Sequence, residues 1–150
     1  MFRRLLIPSR WQRQLVAWTV ATPLSMRRSP QVMQALFRPE TPPRDYATRA
    51  GGLLSLQPAQ FLATIADLEA LPTCLPALTA RLPELRLPVR VLYGRHDAVL
   101  DWRSNGLALA GQVPGATLEL VEGGHMLPIT QPELVARFIG GEAVGEPVAA

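Results

Sequence analysis

Residues 88–128 read PVRVLYGRHDAVLDWRSNGLALAGQVPGATLELVEGGHMLP, and the fold is decided there. Pro88 opens a short apolar run, Val89 to Tyr93, rich in β-branched and aromatic side chains and closed by Gly94. That pattern predicts a buried strand running into a turn. Asp101 is placed to cap a helix whose apolar positions, Trp102, Leu107, Leu109 and Val113, recur at roughly helical spacing. Pro114-Gly115 stops that helix, and a second strand, Ala116 to Val121, runs into Glu122-Gly123-Gly124-His125. Strand, helix, strand within about thirty residues is the crossover unit of a parallel sheet.

The chemistry falls at the strand ends. Loops leaving the carboxyl ends of parallel strands gather on one rim, where sites form. Asp97 leaves one strand there and His125 leaves the next. A carboxylate that accepts from one imidazole nitrogen fixes the tautomer and frees the other nitrogen to act as a general base. Gly123 and Gly124 let the backbone turn so that the imidazole can face back across the rim. Taken singly, Asp97 reads as a turn carboxylate and His125 as a surface histidine. Their placement on consecutive strand ends favours a pair.

These segments resemble the α/β-hydrolase fold family. Val89 to Asp97, with its strand-Gly-x-x-Asp pattern, is similar to the family's acid-bearing segment. Pro114-Gly-Ala, the next strand and Gly123-Gly-His-Met-Leu-Pro are similar to its histidine-bearing segment, and Pro132 to Ile139 to its closing helix. The similarity is strong over about residues 85–140 and weak before them. It implies Asp97 as the acid and His125 as the base of a catalytic triad. The departure is decisive: in that family the nucleophile precedes both, on a Gly-x-Ser-x-Gly elbow. The sequence has no such elbow and no His-Gly-Gly-type oxyanion loop.

At 150 residues the length suits one domain with a real core. Apolar residues make up 48%, which excludes a disordered chain. All 15 basic residues are arginine, and the net charge is a modest +3. The single Cys74 makes no intrachain disulfide and suits a reducing, cytoplasmic setting; its proline-rich neighbourhood reads as that of a small buried residue. No metal-ligand cluster, phosphate loop or repeat is visible, so neither cofactor nor metal is expected.

Residues 1–39 carry seven arginines and no acid, with Leu5-Leu6-Ile7 and the run from Leu15 to Ala21 between them. Three readings compete: a signal or transit peptide, an interfacial helix touching a membrane surface through residues 1–28, and a helix of the cap that covers many α/β-hydrolase sites. The cap reading is preferred, because the resemblance continues downstream without a break. The run from Leu15 is interrupted by Pro23 and far too short to span a membrane. Ser29-Pro30 reads as a helix start, and a helix is expected over about Asp45 to Ala50. Gln57-Pro58 opens the clearest helix, with Phe61, Leu62, Ile65 and Leu68 on one face; Pro72 is expected to end it, and a short helix over Leu75 to Leu82 follows. The expected organisation is a helical cap-like segment over 1–84, the carboxyl-terminal part of an α/β-hydrolase core over 85–140, and a disordered tail over 141–150.

No serine fits a nucleophile. Ser9, Ser25 and Ser29 lie in the basic segment, Ser55 lies between leucines, and Ser104 falls in the first turn of the crossover helix. His96 reads as a solvent histidine. The expected fold class is therefore α/β: a partial α/β-hydrolase fold with helical cap, two-stranded parallel β-α-β unit and final helix. By resemblance the full enzyme acts on an ester or similar acyl bond of a small-molecule substrate. This chain supplies Asp97 and His125 but neither nucleophile nor oxyanion hole, which leaves open whether it is an enzyme by itself. Its expected partners are a missing amino-terminal half or further copies of itself. The alternative is a non-enzymatic membrane- or protein-binding module using the basic amino-terminal helices. Nucleic acid is not expected, because the arginines lack interleaved aromatics and a recognition fold.

Overall fold

The computed structural model describes residues 9–149. Arg3, Arg4 and Leu5-Leu6-Ile7, part of the stretch read as a membrane-facing segment, lie outside the described residues. The fold class is mixed α/β, mostly helical with one small sheet. The chain forms two compact units: one comprises the chain up to Val32 with Pro43–Thr79, the other Met33–Pro42 with the chain from Ala80 onward. The division expected at 84/85 thus falls near 79/80, and residues 33–42 join the second unit. A carboxylate explains the second shift, since Glu40 reaches across 84 residues of sequence to accept the Gly124 N–H.

Helix α1 (Arg10–Val16) passes through a π-helical turn, Ala17–Ala21, into α2 (Thr22–Phe37). The fresh start expected at Ser29-Pro30 does not occur, because α2 runs through Pro30. In the first unit follow α3 (Tyr46–Arg49), a 3₁₀ turn at Gly52–Leu56, and α4 (Pro58–Ala80). Pro58 opens α4 as the sequence indicates, and Ile65 is buried with Phe61, Leu62 and Leu68 half-buried beside it. Pro72 does not end this helix; α4 continues through Pro72 and Pro76, absorbing the separate helix expected over 75–82. A proline ring removes one N–H and crowds the carbonyl four residues back. Here nearly the whole stretch from Glu69 to Ala80 is exposed, so water can take the freed carbonyls. The same exposure corrects the reading of Cys74, which is exposed rather than buried.

The second unit carries the sheet. Strand β1 (Arg90–Gly94) pairs in parallel with β2 (Thr117–Val121), Leu92 opposite Glu119 and Gly94 opposite Val121. The crossover between them is a π-helical turn, Arg103–Leu107, followed by the short α5 (Ala108–Ala110). Asp101 caps it as expected, its Oδ1 accepting the Ser104 N–H at 2.8 Å. Leu118 and Leu120 of β2 are buried with Ala110, and Val91, Tyr93, Trp102 and Leu107 pack around them. Each such leucine contributes on the order of 1.5–3 kcal/mol of burial. Gly106 makes the close packing possible, since a Cβ there would meet the Tyr93 ring at 2.8 Å.

After β2 come α6 (Leu127–Thr130), α7 (Pro132–Ile139) and β3 (Glu146–Val148). Strand β3 pairs antiparallel with β2, so the sheet has three strands in mixed orientation, not two in parallel. The tail read as disordered over 141–150 contains that strand. The cause is Glu119, buried in the middle of β2. Its Oε2 accepts the N–H groups of Val144 and Gly145, and its Oε1 accepts Arg90 Nη2 at 2.6 Å. Arg90 in turn donates to the carbonyls of Phe138 and Glu142 and lies over the Phe138 ring. The polar groups of the tail are thus paired with a carboxylate that needs them. The opposite edge of the sheet, along β1, has no strand partner among the described residues.

Candidate functional site

Asp97 and His125 sit on adjacent loops at the carboxyl ends of β1 and β2. The two loops are tied by backbone bonds: Arg95 N–H donates to the Val121 carbonyl at 2.8 Å and His96 N–H to that of Gly123 at 2.9 Å. Asp97 divides its two oxygens. Oδ1 accepts the N–H groups of Val99 and Leu100 at 2.8 and 2.9 Å, which fixes the carboxylate plane. Oδ2 is left for His125 Nδ1, at 2.9 Å. The Asp97 side chain is only 5% exposed and that of His125 29%.

Burial works to raise the Asp97 pKa, but the Leu100 N–H, the His125 ring and the Val99 N–H outweigh it and hold the carboxyl below its ordinary value. Asp97 is therefore anionic at neutral pH. An anion at Nδ1 selects the tautomer with its proton there, which leaves Nε2 with a lone pair. That nitrogen has no hydrogen-bond partner among the described residues.

The pair borders a cleft of about 380 Å³ whose walls include Leu92, Tyr93, Val135, Phe138 and Ile139. Tyr93 keeps its proton there: burial raises its pKa, and the charges of Asp97 and Asp101 raise it further. The cleft is mainly apolar with one carboxylate–imidazole pair on its wall, the general character of a small-molecule site. A second cleft, of about 340 Å³, lies in the first unit and is lined by Ser25, Ser29, Ser55 and Arg28 among others. It has hydroxyls but no imidazole, since both histidines belong to the second unit.

The loop carrying His125 is held from several sides. Gly123 has φ +144°, a conformation side chains rarely adopt, and a Cβ there would meet Gln131 Nε2 at 2.6 Å and Leu127 at 2.7 Å. A Cβ on Gly124 would collide with the Arg38 carbonyl. Gln131 Nε2 donates to the Glu122 carbonyl at 2.6 Å. From below, Glu40 Oε1 accepts the Gly124 N–H at 3.1 Å, while Glu40 Oε2 is buried with no partner among the described residues.

The two residues that the sequence singled out are thus brought together, and the others are not. His96 turns away, as expected of a solvent histidine, and its Nε2 lies 2.8 Å from Glu122 on the surface. Ser104 is occupied by its cap, with Oγ donating to Asp101 Oδ1 at 3.0 Å. Glu40 and Gln131 were not anticipated. Neither sits in a motif, and Glu40 carries no signal at all, since its partner is a backbone amide brought near only by folding. Among the described residues no group of three or more His, Cys, Asp or Glu could hold a metal. No family model matches the chain, and no curated protein matches it in sequence.

Proposed function

We propose that Asp97 and His125 are the acid–base pair of a serine-type acyl hydrolase whose nucleophile comes from residues outside this chain. The observation that carries this reading is the 2.9 Å bond from His125 Nδ1 to a buried, doubly anchored Asp97, with Nε2 left open beside an apolar cleft. In the reaction, Nε2 accepts the proton of an attacking serine hydroxyl as its oxygen bonds to the acyl carbon of a small ester. The imidazolium, stabilised by Asp97, returns that proton to the leaving alkoxide as the acyl–oxygen bond breaks. Water then enters by the same proton relay and releases the acid. The reaction needs no cofactor.

Ser104, the one serine of the second unit, cannot serve, because its hydroxyl and amide are both committed to Asp101. The oxyanion donors must also come from elsewhere. The unpaired edge of β1 is the natural seat for a further strand, supplied by an amino-terminal half or by another copy, since an open edge presents unmatched N–H and C=O groups. On this reading the chain is the carboxyl-terminal part of an α/β-hydrolase fold, and we propose that it works in the cytoplasm.

The test is fluorophosphonate labelling of the tagged protein purified from its own host. A serine outside this chain should label, contiguous or co-purified, and His125→Ala should abolish that labelling. The purified 150-residue chain should not label by itself. Labelling of Ser104, or labelling that survives His125→Ala, would overturn the assignment.

A further inference from the structure

We infer that the first unit is a peripheral anchor for an anionic lipid surface, entered through Trp11, Leu15 and Trp18. Trp11 and Leu15, at i and i+4 of α1, share one face of that helix, and Trp18 follows in the π-helical turn. They are 65%, 54% and 70% exposed. Arg13 lies about half a turn round from them, and its guanidinium makes a two-pronged bond to Glu69 of α4 at 2.6 and 2.8 Å. The bond holds α1 against α4 and turns the tryptophan face outward. Inside the same unit α4 has Leu71, Leu75 and Leu78 exposed at i, i+4 and i+7.

Charge selects the occupant. The first 39 residues hold seven arginines and no acid, and Arg27 and Arg28, exposed on α2, have no ion-pair partner among the described residues. Tryptophan has an apolar ring and a polar N–H, and it settles at the headgroup boundary; arginines of the same unit draw anionic lipid. Helix α4, with its extension to Glu84, is long and apolar enough to cross a membrane by length and composition. It carries Asp67 and Glu69 mid-helix, however, and crossing would drag the Arg13–Glu69 pair into hydrocarbon. The unit therefore lies on the surface rather than through it. This inference does not rest on the hydrolase reading, and its variants touch neither Asp97 nor His125.

The experiment is flotation of the intact chain with phosphatidylcholine vesicles, with and without phosphatidylserine. The chain should float with the anionic vesicles and release at high salt. Trp11→Gln with Trp18→Gln, and separately Arg27→Gln with Arg28→Gln, should each weaken binding roughly tenfold. Because those sites are exposed, circular dichroism should be unchanged. Brominated acyl chains should also quench the tryptophan fluorescence of the unaltered chain, a readout that needs no variant. Equal flotation with neutral vesicles, or no quenching in any vesicle, would overturn the inference. So would a stable dimer that shields Trp11 and Trp18 in place of lipid.

Discussion

Two buried carboxylates of the second unit, Glu119 and Asp97, use the same chemistry to opposite ends. Each has one oxygen on a pair of backbone N–H groups and the other on a basic side chain. Behind Glu119 stands Arg90, which also donates to the Phe138 and Glu142 carbonyls, so the network ties the tail to the sheet. Behind Asp97 stands His125, whose second nitrogen faces no protein partner among the described residues. A guanidinium is always charged and cannot give up its proton, so it can only hold structure. An imidazole can take up and return a proton at one nitrogen while a carboxylate holds the other. What separates a clamp from a candidate acid–base pair is therefore the group at the end of the chain of hydrogen bonds, not the carboxylate.

The comparison is broken most severely at Glu119. Glu119→Ala leaves Arg90 half-buried without its partner and frees the amides of Val144 and Gly145 as well. Loss of one member of a buried ion pair costs about 3–5 kcal/mol; with Arg90 30% exposed, the lower end, about 3 kcal/mol, is expected in urea unfolding. The segment from Val144 to Val148 should lose its amide protection before the rest. Asp97→Asn keeps both backbone bonds possible and should cost less, about 1 kcal/mol. It should nevertheless remove serine labelling in the assembled protein about as fully as His125→Ala, because an amide does not select the same histidine tautomer. An Asp97→Asn protein that labels normally would make Asp97 a second clamp.

A pH series sharpens the same contrast. Asp97 and Glu119 both have folded-state pKa values below their ordinary ones. In each case burial alone would raise the value, and hydrogen bonding outweighs it, led by the Leu100 N–H for Asp97 and by Arg90 for Glu119. A depressed carboxylate contributes stability that is present above its unfolded pKa and is lost as pH falls through the folded one. The unfolding midpoint should thus stay level near neutrality and decline as pH drops below the ordinary carboxylate range. Glu119→Gln and Asp97→Asn should each flatten part of that decline. An acid limb unchanged in both variants would remove these two groups as its source.

The smallest effect belongs to His96. Its contact with Glu122 is more than half exposed on both sides, and exposed pairs contribute about 0–1 kcal/mol. His96→Gln should leave unfolding within about 0.5 kcal/mol of the parent and serine labelling intact. A loss of labelling would mean that the wrong histidine carries the chemistry.

Local patterns were enough for much of this. The apolar runs before Gly94 and Glu122, the cap at Asp101 and the proline at the start of α4 each act within a turn or two of chain, and each is found where its residues indicate. The nearness of Asp97 to His125 was also legible, because strand–crossover–strand connectivity brings consecutive strand ends to one rim whatever the details. The break expected at Pro72 failed for a reason outside the local chain. Whether a ring at position 72 ends a helix depends on whether water or another segment satisfies the carbonyls it frees.

By itself, then, the sequence determined what short-range forces decide: the strands, their parallel pairing, the crossover and the two residues at its rim. Only the tertiary structure decided that Glu119 captures the tail as a third strand, that Glu40 supports the histidine loop, and that Arg13 turns the tryptophans outward. Those contacts join residues 25 to 84 positions apart. Nothing in the neighbourhood of a charged side chain says which distant amide or charge it will meet. That partner exists only once the chain has closed the space between them.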